Sequence, residues 1–288
     1  MAIHAAHTGL AGRRFRKMHG LGNDFVIFDA RTEALALSPV EIAAIADRNL
    51  GVGCDQLIVI EPGDDAADAF MRIYNADASE VSACGNATRC VGRLLMEEGG
   101  RDEIALRTRA GLLRAGRAAD GRITADMGPA RLDWQEIPLA TPCDTARVPF
   151  ALGPLVTPVA VSMGNPHAVF FVPAVAAIDL ETLGPAVETD SLFPEKTNVE
   201  IVEDLGHGRL RMRVWERGVG ITRACGTGAC ATLVAAARRG ITGRSGTVVL
   251  DGGELDIAWT ETGHVLMTGT ATLAYEGALG ELNIGKPE

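Results

Sequence analysis

The chain has 288 residues, 47% of them hydrophobic and 22% charged, so it can bury a sizeable core, and two domains are more natural than one. Its net charge of −10 and lack of a basic stripe exclude the usual nucleic-acid and anionic-membrane partners. The only lysines are Lys17, Lys196 and Lys286, which weakens any cofactor that needs a Schiff-base lysine.

In chain order, MAIHAAHTGLAGRRFRK lacks an apolar core before its basic cluster and reads as a short extension, not a secretory signal. Phe25–Phe28 reads as a strand. Segment 38–50 reads as a helix capped by Ser38 with Pro39 at its first position. Strands follow at Leu57–Ile60 and Met71–Asn75, then a helix over 90–99 ending at Gly99. After a strand at 121–127, the Gly- and Pro-bearing stretch 128–154 reads as the interdomain region. The pattern then returns: strands at Ala168–Phe171, Val199–Val202 and Arg211–Trp215, and a helix over 230–240 ending at Gly240. Strands at 247–250, 255–259, 265–269 and 271–276 complete two mainly antiparallel sheets. No run of apolar residues is long enough for a transmembrane helix, and a cytoplasmic location is expected.

The recurrence is a duplication. Ala83-Cys84-Gly85-Asn86 matches Ala224-Cys225-Gly226-Thr227, with the cysteines 141 positions apart (225 − 84). Met71–Tyr74 matches Met212–Trp215 at the same offset, while Gly22-Asn23 matches Gly164-Asn165, and Gln56 matches Asn198, one position further apart. Coincidences in one order at one offset mark a repeated domain. The repeated positions include polar Asn, Gln and Cys, which points to a shared site.

Each of Cys84 and Cys225 falls at a loop-to-helix junction followed by glycine. Such a junction offers unpaired N–H groups and a positive dipole end, which can hold a carboxylate and favour thiolate. Inverting an amino-acid α-carbon needs a base on one face, an acid on the other, and donors for charge building on the carboxylate. The two cysteines fit the acid–base pair. The N–H groups of Gly85, Asn86, Gly226 and Thr227 fit the donors, and no cofactor is strictly needed. The other cysteines, Cys54, Cys90, Cys143 and Cys230, read as small buried hydrophobes, and their spacing does not suit a metal.

The stretches MHGLGNDFVIFD (18–29), GVGCDQL (51–57), YNADASEVSACGNATRC (74–90), SMGNPH (162–167), KTNVE (196–200) and ERGVGITRACGTGACAT (216–232) resemble the diaminopimelate epimerase family along almost the whole chain. The resemblance implies an α/β (α+β) fold of two pseudo-symmetric domains, each a mainly antiparallel sheet wrapped around a central helix, with the site in the cleft. Residues 1–132 would form the first half, with 270–288 returning to it, and 133–269 the second. It implies interconversion of LL- and meso-diaminopimelate by Cys84 and Cys225, assisted by His167 and Glu216, without cofactor or metal. It further implies a substrate site lined by Asn23, Gln56, Asn75, Gly85, Asn86, Asn165, Asn198, Glu216, Arg217, Gly226 and Thr227, and a homodimer with Tyr275 at its interface. The family usually has glycine where this chain has Ala78, a Gly-Ala or similar pair where it has Ala87-Thr88, and Phe where it has Cys54. Ala87 needs no positive φ if it lies in a helix. The rivals are a proline or hydroxyproline racemase of the same superfamily, a superfamily isomerase that moves a double bond, a thiol redox sensor and a solute-binding protein.

Overall fold

The computed structural model describes residues 10–282; the first nine residues of the expected N-terminal extension and the end of the returning segment lie outside that range. The chain divides into two compact units. The first runs to Arg114 and takes back the chain from Ala271; the second is Ala115–Thr270.

In the first unit, β1 (Arg14–Gly20), β2 (Asn23–Asp29), α1 (Pro39–Ala46), β3 (Gln56–Asp64), β4 (Ala67–Asn75), β5 (Glu80–Val81), α2 (Gly85–Gly99) and β6 (Glu103–Thr108) follow in order. β7 (Gly111–Arg117) runs across the boundary, and β8 (Ile123–Pro129) opens the second unit. There the chain forms β9 (Ala151–Leu152), β10 (Leu155–Val156), β11 (Val159–Ser162), β12 (Pro166–Phe171), α3 (Leu180–Glu188), β13 (Asn198–Gly206), β14 (Arg209–Glu216) and β15 (Gly220–Thr222). Then come α4 (Gly226–Arg238), β16 (Ser245–Leu250), β17 (Gly253–Trp259) and β18 (His264–Gly269), before β19 (Thr272–Ala278) in the first unit.

Strand register carries the duplication into three dimensions. β2 pairs parallel to β3 with Phe25 opposite Gln56, and β12 pairs parallel to β13 with His167 opposite Asn198. Ile60 faces Met71 as Val202 faces Met212, and Ile73 faces Val81 as Val214 faces Thr222. Ala69 pairs parallel with Leu106 as Leu210 does with Val248. Apart from these parallel joins the described ladders are antiparallel.

In the second unit α4 packs against β11, β12, β13, β14, β16, β17 and β18. Its residues Gly228–Ala236 are all buried, and five of these nine are alanine or glycine, small enough for strands to close around the helix. α2 is likewise buried from Gly85 to Gly92 and packs on β1 and β6. Strand alternation sends Phe28, Leu57 and Val59 to a second core under Ile42 and Ile45 of α1. Phe170, Val199 and Ile201 pack under Leu180 and Val187 of α3.

The two compact units meet at 114/115, because β8 pairs with β18 and so belongs with the second. Two expectations change. Stretch 128–154 is no linker: Ile137, Leu139 and Val148 are buried in the core beside Phe170. The helix expected over 38–50 stops at Ala46, because the Asp47 carboxylate accepts the Asn49 and Leu50 N–H groups and turns the chain. Ser38 caps it as expected, in a capping box with Glu41. No described helix is long and apolar enough to cross a membrane.

Candidate functional site

In the first unit the sheet gathers the amides at one end. Asn23 starts β2, Gln56 starts the parallel β3, and Asn75 ends the antiparallel β4, so all three lie at the same edge. Cys84 is the N-cap of α2, in extended conformation, with its thiol 3.9 Å from Asn23 Oδ1. Asn86, in the first turn, donates Nδ2 to the same oxygen at 3.1 Å. Gln56 Nε2 donates to Asn75 Oδ1 at 3.1 Å. Thus Asn23, Cys84, Gly85 and Asn86 form one group, and Gln56 and Asn75 form its neighbour along the sheet.

The second unit repeats this with changed chemistry. Asn165 precedes β12, Asn198 starts the parallel β13, and Glu216 ends β14 where the first unit has Asn75. Cys225 is the N-cap of α4 and accepts the Gly228 N–H at 3.4 Å. Its sulfur lies 3.5 Å from Thr227 Oγ1, which accepts Asn165 Nδ2 at 3.4 Å. Asn165 Oδ1 meets His167 Nε2 at 3.0 Å, and His167 Nδ1 meets Glu200 Oε1 at 2.7 Å, with both of these side chains fully buried. Thr222 donates a hydrogen bond to Glu216 Oε1. Asn198 donates to the Pro166 carbonyl at 2.8 Å and accepts the Arg217 N–H at 3.0 Å, while Arg217 Nη1 reaches the Glu195 carbonyl at 3.1 Å.

The two thiols differ. Cys84 is half-buried and Cys225 is 5% exposed. Burial first, then the Glu216 and Glu200 carboxylates, push the Cys225 thiol well above its ordinary range. The helix N-terminus does work the other way, through the Gly228 N–H, but desolvation beside two carboxylates outweighs it. The helix end was expected to favour thiolate, and at Cys225 burial and the two carboxylates act against it, towards the protonated thiol. Burial also raises Glu216, against hydrogen bonds from Thr222 and Cys225.

Cys90 and Cys230 are fully buried and Cys54 nearly so, and burial pushes Cys54 up to about 11 and Cys90 to about 12. Cys143 is only half-buried, at the margin of the Phe170 core, and so departs from the buried role expected for it. Tyr275 lies on β19, 48% exposed, with its ring edge-on to Phe15. Ala87 lies within α2, as its tolerance required, whereas Ala78 adopts φ 67 in the turn after β4.

Three residues of these clusters were not singled out from sequence. Arg89 is fully buried and donates to Asn86 Oδ1 at 2.9 Å. Thr222, at the end of β15, carried no signal in the sequence. Glu200 had a visible signal, a carboxylate within the apolar run Val199–Val202 where the first copy has Ile58.

Solved structures with this fold include a Pseudomonas aeruginosa protein described as a predicted epimerase, at TM-score 0.66 and 22% identity over 93% of this chain and 99% of that one. They also include a hydroxyproline epimerase from Agrobacterium vitis, at TM-score 0.63 and 17% identity over 93% of both chains. The class is that of isomerases built from two copies of one α/β unit. The diaminopimelate epimerase family model matches residues 15–132 and 159–274. The diaminopimelate epimerase of Rhodospirillum centenum is 59% identical over 270 residues, 93% of each chain. The chain belongs to the diaminopimelate epimerase family.

Proposed function

We propose that this protein interconverts LL- and meso-2,6-diaminopimelate by two-base proton transfer between Cys84 and Cys225, in lysine and peptidoglycan precursor biosynthesis. The observation that carries the reading is that each repeat places a cysteine as the N-cap of its buried helix, beside amides gathered at one end of its sheet. One sulfur, as thiolate, takes the α-proton and becomes a thiol. The other gives its S–H proton to the opposite face of the same carbon and becomes a thiolate. Electrons and protons balance without an external acceptor. Charge that builds on the α-carboxylate is met by N–H groups of Gly85, Asn86, Gly226 and Thr227, because the first N–H groups of a helix have no intrahelical acceptor.

Burial beside Glu216 and Glu200 favours the protonated form of Cys225, which fits it as the acid with Cys84 as the base in one direction of the reaction. Glu216, half-buried and held by Thr222, and His167, held between Asn165 and Glu200, assist proton movement at Cys225. Asn23, Gln56, Asn75, Asn165 and Asn198 supply neutral donors and acceptors for a doubly zwitterionic substrate. Arg217 supplies a planar guanidinium for its distal carboxylate. That distal recognition separates the reading from a proline or hydroxyproline racemase, whose substrates lack a second amino-acid head. The exposed edge at Leu273 and Tyr275 of β19 fits a homodimer contact. The protein would act in the cytoplasm.

Proton NMR of LL-diaminopimelate with reduced protein in D2O tests the reading. Deuterium at one α-carbon with accumulation of the meso isomer supports it, and absence of exchange would overturn it. Cys84→Ala and Cys225→Ala are each expected to lose at least about a thousandfold in turnover.

A further inference from the structure

The turn that carries Arg217 is held by groups outside the proposed chemistry. Glu188, the last residue of α3, is 5% exposed. Its Oε1 accepts the Gly218 N–H at 2.9 Å, and its Oε2 accepts the Trp215 indole N–H at 2.7 Å. Its two oxygens therefore grip the residues on either side of Glu216-Arg217. Lys196 Nζ stands 3.8 Å from Oε1. α3 lies so close to this turn that a Cβ on Gly184 would come 2.6 Å from the Trp215 ring. Asn198 and the Glu195 carbonyl hold Arg217 itself, at its N–H and its Nη1.

Among the described residues the first unit has no equivalent grip. Glu188 lies between Asn165 and Asn198, whose first-copy partners are 142 positions earlier, and at that offset it matches Ala46, the last residue of α1, which has no carboxylate. Trp215 and Arg217 match Tyr74 and Ala76, 141 positions earlier. The clamp is confined to the half that carries the arginine.

We propose that Glu188 is a positioning residue for Arg217, and through it a determinant of preference for substrates with a second carboxylate. The proposal rests on the reading of Arg217 as the distal carboxylate clamp. A long side chain loses rotamer freedom when it binds, and a backbone fixed in advance reduces what remains to be ordered. An ionised carboxylate only accepts hydrogen bonds, and here each oxygen faces a donor. Glutamine offers one accepting end and one donating end, so Glu188→Gln sets its amide N–H against either Gly218 or Trp215. The distal carboxylate is remote from the α-carbon, so loosening its clamp weakens binding of ground state and transition state alike.

The test is steady-state kinetics on LL-diaminopimelate with the wild type, E188Q, W215F and E188Q/W215F. Expected for E188Q is a KM raised about tenfold with kcat within about threefold. Removing the indole N–H lets the glutamine carbonyl keep Gly218, so the double variant returns to within about threefold of the W215F KM. An unchanged KM, a loss confined to kcat, or no recovery in the double variant would overturn the proposal. Should E188Q fail to fold, E188A/W215F read against W215F makes the same comparison, with a KM rise supporting and an unchanged KM refuting it. A wild type that does not turn over diaminopimelate refutes the function itself, an outcome distinct from an active wild type matched by E188Q.

Discussion

Residue by residue, the two thiols are chemically unlike although the sequence around them is repeated. Phe25 and Ile58 occupy the positions that His167 and Glu200 hold in the second copy, and Asn75 that of Glu216. The second copy has thus exchanged apolar and neutral groups for titratable ones next to its cysteine. The groups facing Cys225 are Glu216 from the end of β14, Glu200 from β13 and, through Glu200, His167 from β12. A Cβ at Gly228 would meet Glu200 Oε1 at 2.8 Å and the Cys225 sulfur at 3.2 Å, so only glycine lets the carboxylate approach the helix end this closely. Because the folded chain raises the Cys225 thiol above its ordinary 9.0, it holds that proton more tightly than the unfolded chain does. The resulting stability is complete below pH 9 and is lost as pH rises through the folded value. Urea unfolding between pH 8 and pH 10 checks this: the wild type is expected to lose stability more steeply than Cys225→Ala. Ala78 carries the opposite kind of lesson. At φ 67 its methyl group strains the turn after β4, and Ala78→Gly is expected to gain on the order of 1 kcal/mol, read as a higher melting temperature. The sequence marked this position through its departure from the family pattern, but only the backbone angle gives the departure an energetic sign.

At the scale of elements, each short signal worked where the interactions were local. Ser38 and Glu41 close a capping box on α1, and Pro39 has no N–H to satisfy in the first turn. Ser38→Ala is expected to cost about 1 kcal/mol of stability by chemical denaturation, without moving the cysteine sites. α2 and α4 begin directly after Cys84 and Cys225, earlier than the apolar periodicity alone indicated, because glycine, asparagine and threonine in the first turns obscure that periodicity. The Asp47 turn shortened α1 through side-chain hydrogen bonds that compete with helix continuation. Stretch 128–154 misled for a related reason. Its glycines and prolines break regular structure, yet Ile137, Leu139 and Val148 still bury their side chains against β12 and β13.

For the whole molecule, the chain passes from the first unit to the second within β7 and returns to it at Ala271. The returning β19 pairs with β1 and exposes Leu273 and Tyr275, a hydrophobic edge of the kind that pairs with another chain. Tyr275→Asp is expected to shift the proposed homodimer to monomer in sedimentation velocity while leaving secondary structure unchanged. The sequence by itself determined the duplication, the two helix-capping cysteines and the amides around them, because these are local patterns written twice at one offset. The tertiary structure alone decided that β8 joins the second unit, that Glu200 is buried against His167, and that Glu188 grips the Arg217 turn. Those outcomes depend on strand pairing and desolvation between residues far apart in the chain, which no local spacing encodes.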